Sequence, residues 1–118
     1  MVKVVREWMR WRCHICGFDV IEGQRFGYLP GKGFIHIECL YDKLKELFPD
    51  GIPEDVLAAV EAEEIASYGI IRIKQVEYMV GDEYRDEVVR IRKKFEGASA
   101  DAGKLIHKLL ERYNVSIK

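Results

Sequence analysis

Three cysteines and one histidine carry the chemistry that this sequence can do. Cys13-His14-Ile15-Cys16-Gly17 and His36-Ile37-Glu38-Cys39 together read C-x2-C-x19-H-x2-C. A two-residue gap lets both side chains of a pair turn inward, from a tight knuckle or from the first turn of a helix. Two such pairs supply the four soft or borderline ligands of a tetrahedral Zn2+ site. We therefore expect one structural zinc ion, held by Cys13, Cys16, His36 and Cys39. Three thiolates around it leave a negative charge that Arg12 and Arg25 can soften. Four protein ligands close the coordination sphere, whereas a catalytic zinc keeps a position open. A redox Cys-x-x-Cys needs a βαβ setting, and haem attachment needs a His where Gly17 stands. Neither condition is met. His14, inside the knuckle, reads as an exposed polar residue.

The elements that must position these ligands follow from turn chemistry and periodicity. Gln24 to Leu29 and Phe34 to Ile35 read as strands joined by the Pro30-Gly31-Lys32-Gly33 turn, since Pro presets one dihedral and Gly accepts positive φ. Val2 to Trp11 alternates loosely and could be an edge strand. Ile37 to Phe48 reads as a helix, with Leu40, Leu44, Leu47 and Phe48 on one face. Phe48-Pro49-Asp50-Gly51-Ile52-Pro53 then punctuates the chain. Beyond it, Ala59, Ala62, Ala66, Ile70, Ile73 and Val80 recur at spacings of three, four and seven, a stripe of small residues suited to close helix packing. Residues 70–80 also look strand-like, but their alternation slips phase between Ile73 and Val76, which favours one long helix. Tyr84, Val88, Ile91 and Phe95 mark another helix, with Gly97 as its stop. Leu105, Ile106, Leu109, Leu110 and Tyr113 mark a last one.

The stretches 11–17, 23–26 and 33–40 resemble the first zinc finger of a LIM domain. That resemblance implies a treble-clef-type zinc unit used for protein contacts. No cysteine follows Cys39, so the second LIM finger has no counterpart. The whole layout is also similar to a family of short archaeal proteins of uncharacterised function, with one such finger and a charged helical C-terminus. The expected fold is α+β: a LIM-like head over residues 1–48 and a helical region of about three helices over 53–118.

Composition narrows the function further. The net charge of −1 hides a basic head, an acidic middle and a mildly basic tail. A near-neutral total gives no steering toward nucleic acid by itself. Thr is absent, and Asn and Gln are scarce beside many Lys, Glu and Arg, which resembles proteins of hot environments. Met1 to Arg12 carries charges throughout and has no apolar core of a signal peptide, and no uncharged run could cross a bilayer. We therefore expect a cytoplasmic protein. Glu54, Asp55, Glu61, Glu63 and Glu64 have no histidine near them, and their spacing fits a solvated helix face rather than an acid–base pair. These readings point to a non-enzymatic module that binds protein through its head, with Trp8, Arg10, Trp11, Arg25 and Lys32 as the surface and a homodimer through the helical tail. The alternative is an RNA- or ribosome-associated protein. It draws on the same interleaved arginines and aromatics and on the Lys104, Lys108, Arg112 stripe.

Overall fold

The computed structural model describes residues 11–21 and 23–117. Two small antiparallel hairpins come first. Strand β1 (Trp11–Arg12) pairs with β2 (Asp19–Val20), and β3 (Phe26–Leu29) pairs with β4 (Gly33–His36). Three α-helices follow: α1 (Ile37–Leu47), α2 (Glu54–Met79) and α3 (Arg85–Arg112), with a 3-10 turn at Asp82–Tyr84 between the last two. This is the α+β arrangement that the sequence predicts. The Pro30-Gly31 turn closes as expected, with the Lys32 N–H donating to the Leu29 carbonyl at 2.9 Å and Gly31 at φ +83°. Helix α1 begins directly on β4, so Cys39 falls in its first turn and His36 sits just ahead of it.

Residues 70–80 are helical throughout, continuing α2 to Met79. The helical region departs from the sequence reading at Gly97, which does not end a helix. Helix α3 runs through it, so two long helices and a 3-10 turn stand where three helices were expected. A glycine inside a helix costs only about 1 kcal/mol relative to alanine. Packing on either side outweighs that, because Phe95 lies against Gly69 and Gly103 lies against Pro30. The expected edge strand is seen only from Trp11 onward, and Val2 to Arg10 lie outside the described residues.

Helices α2 and α3 form an antiparallel hairpin closed by the 3-10 turn, and the head packs on its open-end half, against the first part of α2 and the last part of α3. A single core runs through both parts. Val20, Leu29, Ile35, Leu40 and Leu44 of the head pack in one cluster with Val56, Val60, Ile106 and Leu110 of the hairpin, all essentially excluded from solvent. A head of this size cannot build a large core alone, and sharing one with the helices supplies the missing apolar surface.

Candidate metal centre

Local backbone geometry brings the four ligands together. Gly17, at φ +79°, lets the chain curl after Cys16, and its N–H donates to the Cys13 carbonyl at 2.9 Å. The knuckle is closed from the other side by the Cys13 N–H, which donates to the Phe18 carbonyl at 2.8 Å. It is tied to the second hairpin by the His14 N–H on the Phe34 carbonyl at 2.9 Å. The donor atoms of Cys13, Cys16, His36 and Cys39 all lie within 4.8 Å of one another, so these residues could hold one metal ion.

Hydrogen bonds around the cluster set its chemistry. The Cys13 Sγ accepts the N–H groups of His36 at 3.3 Å, Ile15 at 3.4 Å and Cys16 at 3.5 Å. Burial pushes the Cys13 thiol up, but these donors outweigh it and bring the pKa down to about 6. The Cys39 thiol is pushed up to about 12, by burial first and then by Cys16 and Cys13 beside it. Ionising Cys39 beside them is thus unfavourable here unless a cation sits among the sulfurs, which is what a metal ion supplies. His36 is oriented by its far side. Its Nε2 lies 3.1 Å from the Asp19 carbonyl and 3.0 Å from Gln24 Oε1. Both partners are acceptors, because Gln24 Oε1 also receives the Ile21 N–H at 2.9 Å. Nε2 therefore carries the proton, and Nδ1 presents its lone pair to Cys16 Sγ at 3.3 Å and Cys39 Sγ at 3.7 Å. A partner on the far nitrogen is the usual way a ligating histidine is fixed. The sequence reading places Gln24 at the start of a strand and gives it no role at the metal site.

A second polar cluster was also missed. Glu63 is not on a solvated face: it is 2% exposed and sits at the junction of three elements. Its Oε1 accepts the Tyr28 N–H of β3 at 3.0 Å. Its Oε2 accepts the Ser67 hydroxyl at 2.9 Å and, from α3, the Ser99 hydroxyl. Burial pushes the Glu63 carboxyl up to about 7, against the lowering effect of these donors. The signal was present in the sequence. Val56, Ala59, Val60, Glu63 and Ser67 keep the three–four rhythm of the buried face, and Glu63 falls within it. The expected stripe was partly out of phase, since Ala62 is exposed while Ala59 and Ala66 are buried. Those two alanines lie inside this chain's own core.

Of the residues expected to form a partner surface, Trp11, Arg25 and Lys32 lie among the described residues. Trp8 and Arg10 lie outside the described residues. Trp11 stacks on Phe34, with centroids 3.8 Å apart, and tilts against Phe26, so it props the hairpin. Arg25 makes a two-pronged pair with Glu64 of α2, at 2.6 and 2.9 Å. Lys32 is part-buried in the β3–β4 turn. Lys104, Lys108 and Arg112 are exposed along α3, and His107 in the same helix meets the Pro30 carbonyl at 3.2 Å. His14 is exposed, as expected.

Residues 9–108 match the family described as an uncharacterized protein conserved in archaea (DUF2175). The chain belongs to this family. No curated protein and no solved structure matches it significantly. The family thus agrees with the archaeal resemblance read from the sequence, and the metal-ligand cluster agrees with the spacing that carried it. No helix among the described residues is long and apolar enough to cross a membrane.

Proposed function

We propose that this protein is a non-enzymatic adaptor whose head, stiffened by one structural zinc ion in a treble-clef-like finger, presents a surface to a protein partner in the cytosol of a heat-adapted archaeon. The observation that carries this reading is the closed four-ligand set. Zinc bonds of about 2.3 Å to sulfur and 2.0–2.1 Å to nitrogen, at a tetrahedral angle, place an N and an S about 3.6 Å apart. The His36–Cys16 and His36–Cys39 separations of 3.3 and 3.7 Å bracket that value. Cys13, Cys16, His36 and Cys39 would hold the ion, which supplies cross-linking and charge neutralisation. With every position filled by protein, neither water nor substrate has a place on it.

The surface we assign to the partner differs from the one expected from composition. Phe18 is 75% exposed and Ile21 is 52% exposed, the first following the Cys13–Gly17 knuckle directly and the second following β2. Two large apolar side chains held out from a rigid scaffold suit a protein contact better than a phosphate backbone. Arg25 and Trp11, which a nucleic-acid reading would use, are engaged within the chain. The test is recovery of the native complex with and without nuclease, comparing wild type with Phe18→Ser. We expect a nuclease-resistant partner that is lost in the variant. A bound RNA whose affinity collapses as salt rises, unaffected by Phe18→Ser, would replace this reading with the RNA-associated one.

A further inference from the structure

The three sulfurs of the metal centre are not equivalent toward solvent. Cys13 is 2% exposed, Cys39 is half-buried and Cys16 is exposed. Their hydrogen bonds divide them in the same order. Cys13 Sγ accepts the backbone N–H groups of Ile15, Cys16 and His36. Among the described residues no backbone N–H donates to the Sγ of Cys16 or of Cys39, which share His36 Nδ1 as a neighbour. The loop is also open beside Cys16. A Cβ on Gly17 would meet nothing within 4 Å.

A four-ligand ion offers no open position, so chemistry on this centre has to start at a sulfur. With a metal ion bound, all three sulfurs are thiolates. Access and hydrogen-bond donors then decide which of them reacts. An N–H donor draws charge from a sulfur and lowers its nucleophilicity along with its basicity. Cys13 is shielded twice, by burial and by its donors, and Cys16 has neither shield.

We propose that Cys16 is a modification site, the sulfur that a hydroperoxide oxidises first, with Cys39 as the residue that resolves it and so releases the ion. The inference rests on the structural-zinc reading above. In the first step the Cys16 thiolate attacks a peroxide oxygen. An S–O bond forms, the O–O bond breaks, and the departing oxygen takes a proton to become water or an alcohol. Cys16 is thereby oxidised to the sulfenic acid and the peroxide is reduced. In the second step a sulfur attacks Cys16. An S–S bond forms, the S–O bond breaks, and the hydroxide that leaves is protonated to water. Both Cys13 and Cys39 are in reach, since the ligand atoms all lie within 4.8 Å of one another. Cys39 is the better placed, because Cys13 would have to give up three donors and a buried position. Cys13 and His36 then remain, half of the ligands that a structural zinc requires.

The test starts from the full-length protein, with its zinc content measured first. Hydrogen peroxide is added together with a cyclic 1,3-dione that traps sulfenic acid, and peptide mass spectrometry reads the labelled cysteine. Label should reach Cys16 before Cys13 or Cys39. Without the trap, a chromogenic chelator should register loss of the ion as a Cys16–Cys39 disulfide appears, and a dithiol reductant with added zinc should reverse both. Cys16→His keeps a ligand at that position but removes its nucleophilic sulfur, so its zinc should survive the peroxide that empties the wild type. The wild-type mapping is decisive even if this variant takes up no zinc. First label on Cys13 or Cys39, a first disulfide that contains Cys13, zinc retained under peroxide, or a zinc-loaded Cys16→His that empties as fast as wild type would each overturn the proposal and leave the structural-zinc reading intact. A wild-type chain that takes up no zinc would sink that reading, and the proposal with it.

Discussion

The metal centre and the Glu63 cluster both bury negative charge, and they do it by opposite means. The centre gathers thiolates from Cys13 to Cys39, takes N–H donors on one sulfur, and leaves the remaining charge to a cation. Glu63 takes no charge partner in its cluster. Three donors from β3, α2 and α3 satisfy its two oxygens. The first ties the head to itself, and the second ties the head to the helical hairpin. Breaking the first should therefore cost the fold of the head, whereas breaking the second should loosen the joint and leave metal binding intact.

The largest expected effect is loss of the ion. Removing it by chelation, or by Cys13→Ser, should unfold the head, because in such modules metal-binding energy is folding energy, about 10–16 kcal/mol in isolated finger peptides. Hydrogen exchange should show β3, β4 and α1 losing protection together. The hairpin should lose stability too, since Val56, Val60, Ile106 and Leu110 share the head's core. Elemental analysis should give one zinc per chain in the wild type and a marked deficit in the variant. A head that stays protected without metal would break the comparison at its first term.

Glu63→Ala comes next. It strands two buried hydroxyls and a backbone N–H and leaves a cavity, a loss of about 3–5 kcal/mol. Glu63→Gln keeps the volume, and the hydroxyls can rotate to suit it, so about 1–2 kcal/mol is expected. Denaturant unfolding measures both. Zinc content should be unchanged in each, which separates this cluster from the metal centre.

The same carboxylate should give stability a pH dependence of unusual sign. Its folded pKa of about 7 lies above the usual value of 4.5, so between those values the folded state holds the proton more tightly than the unfolded one. Its contribution is fully present below the unfolded value and is lost as pH rises through about 7. Loss of metal from protonated ligands runs the other way, destabilising the protein as pH falls. Thermal unfolding at saturating zinc, from pH 6 to pH 8, should therefore favour the acidic side by roughly 1–2 kcal/mol in the wild type relative to Glu63→Gln. Equal slopes in the two proteins would mean that Glu63 does not titrate in this range.

The same contrast explains what could be read from the sequence. The metal ligands come in two short pairs, and a two-residue gap leaves little choice of geometry, so Cys13, Cys16, His36 and Cys39 stand out on spacing alone. The hairpin turn at Pro30-Gly31 and helix α1 are equally local. Glu63 meets Tyr28 and Ser99 across separations of 35 and 36 residues, and no spacing rule reaches that far. Its one local trace is its place in the buried rhythm of α2, which the surrounding acidic residues mask. Arg25 misleads for the same reason: it looks like a surface cation until α2 brings Glu64 to it. The long span of α2 was legible through the phase slip at Val76, but the continuity of α3 was not, because Gly97 signals a stop that packing overrides.

That continuity gives the smallest effect and the sharpest check on how the Glu63 joint is built. Gly97 lies between Phe95, which packs on Gly69, and Ser99, which reaches Glu63. Both contacts need α3 to keep its phase through residue 97. A Cβ there would meet nothing within 4 Å, and its φ is not in the left-handed region. Alanine should therefore fit without strain and gain its helical advantage, about 0.5–1 kcal/mol, partly by reducing the freedom of the unfolded chain. Gly97→Ala should raise the unfolding midpoint slightly and leave zinc content and the Glu63-dependent pH slope as they were. A destabilised variant would mean that the helix breaks at residue 97, and Ser99 would then need another route to the carboxylate.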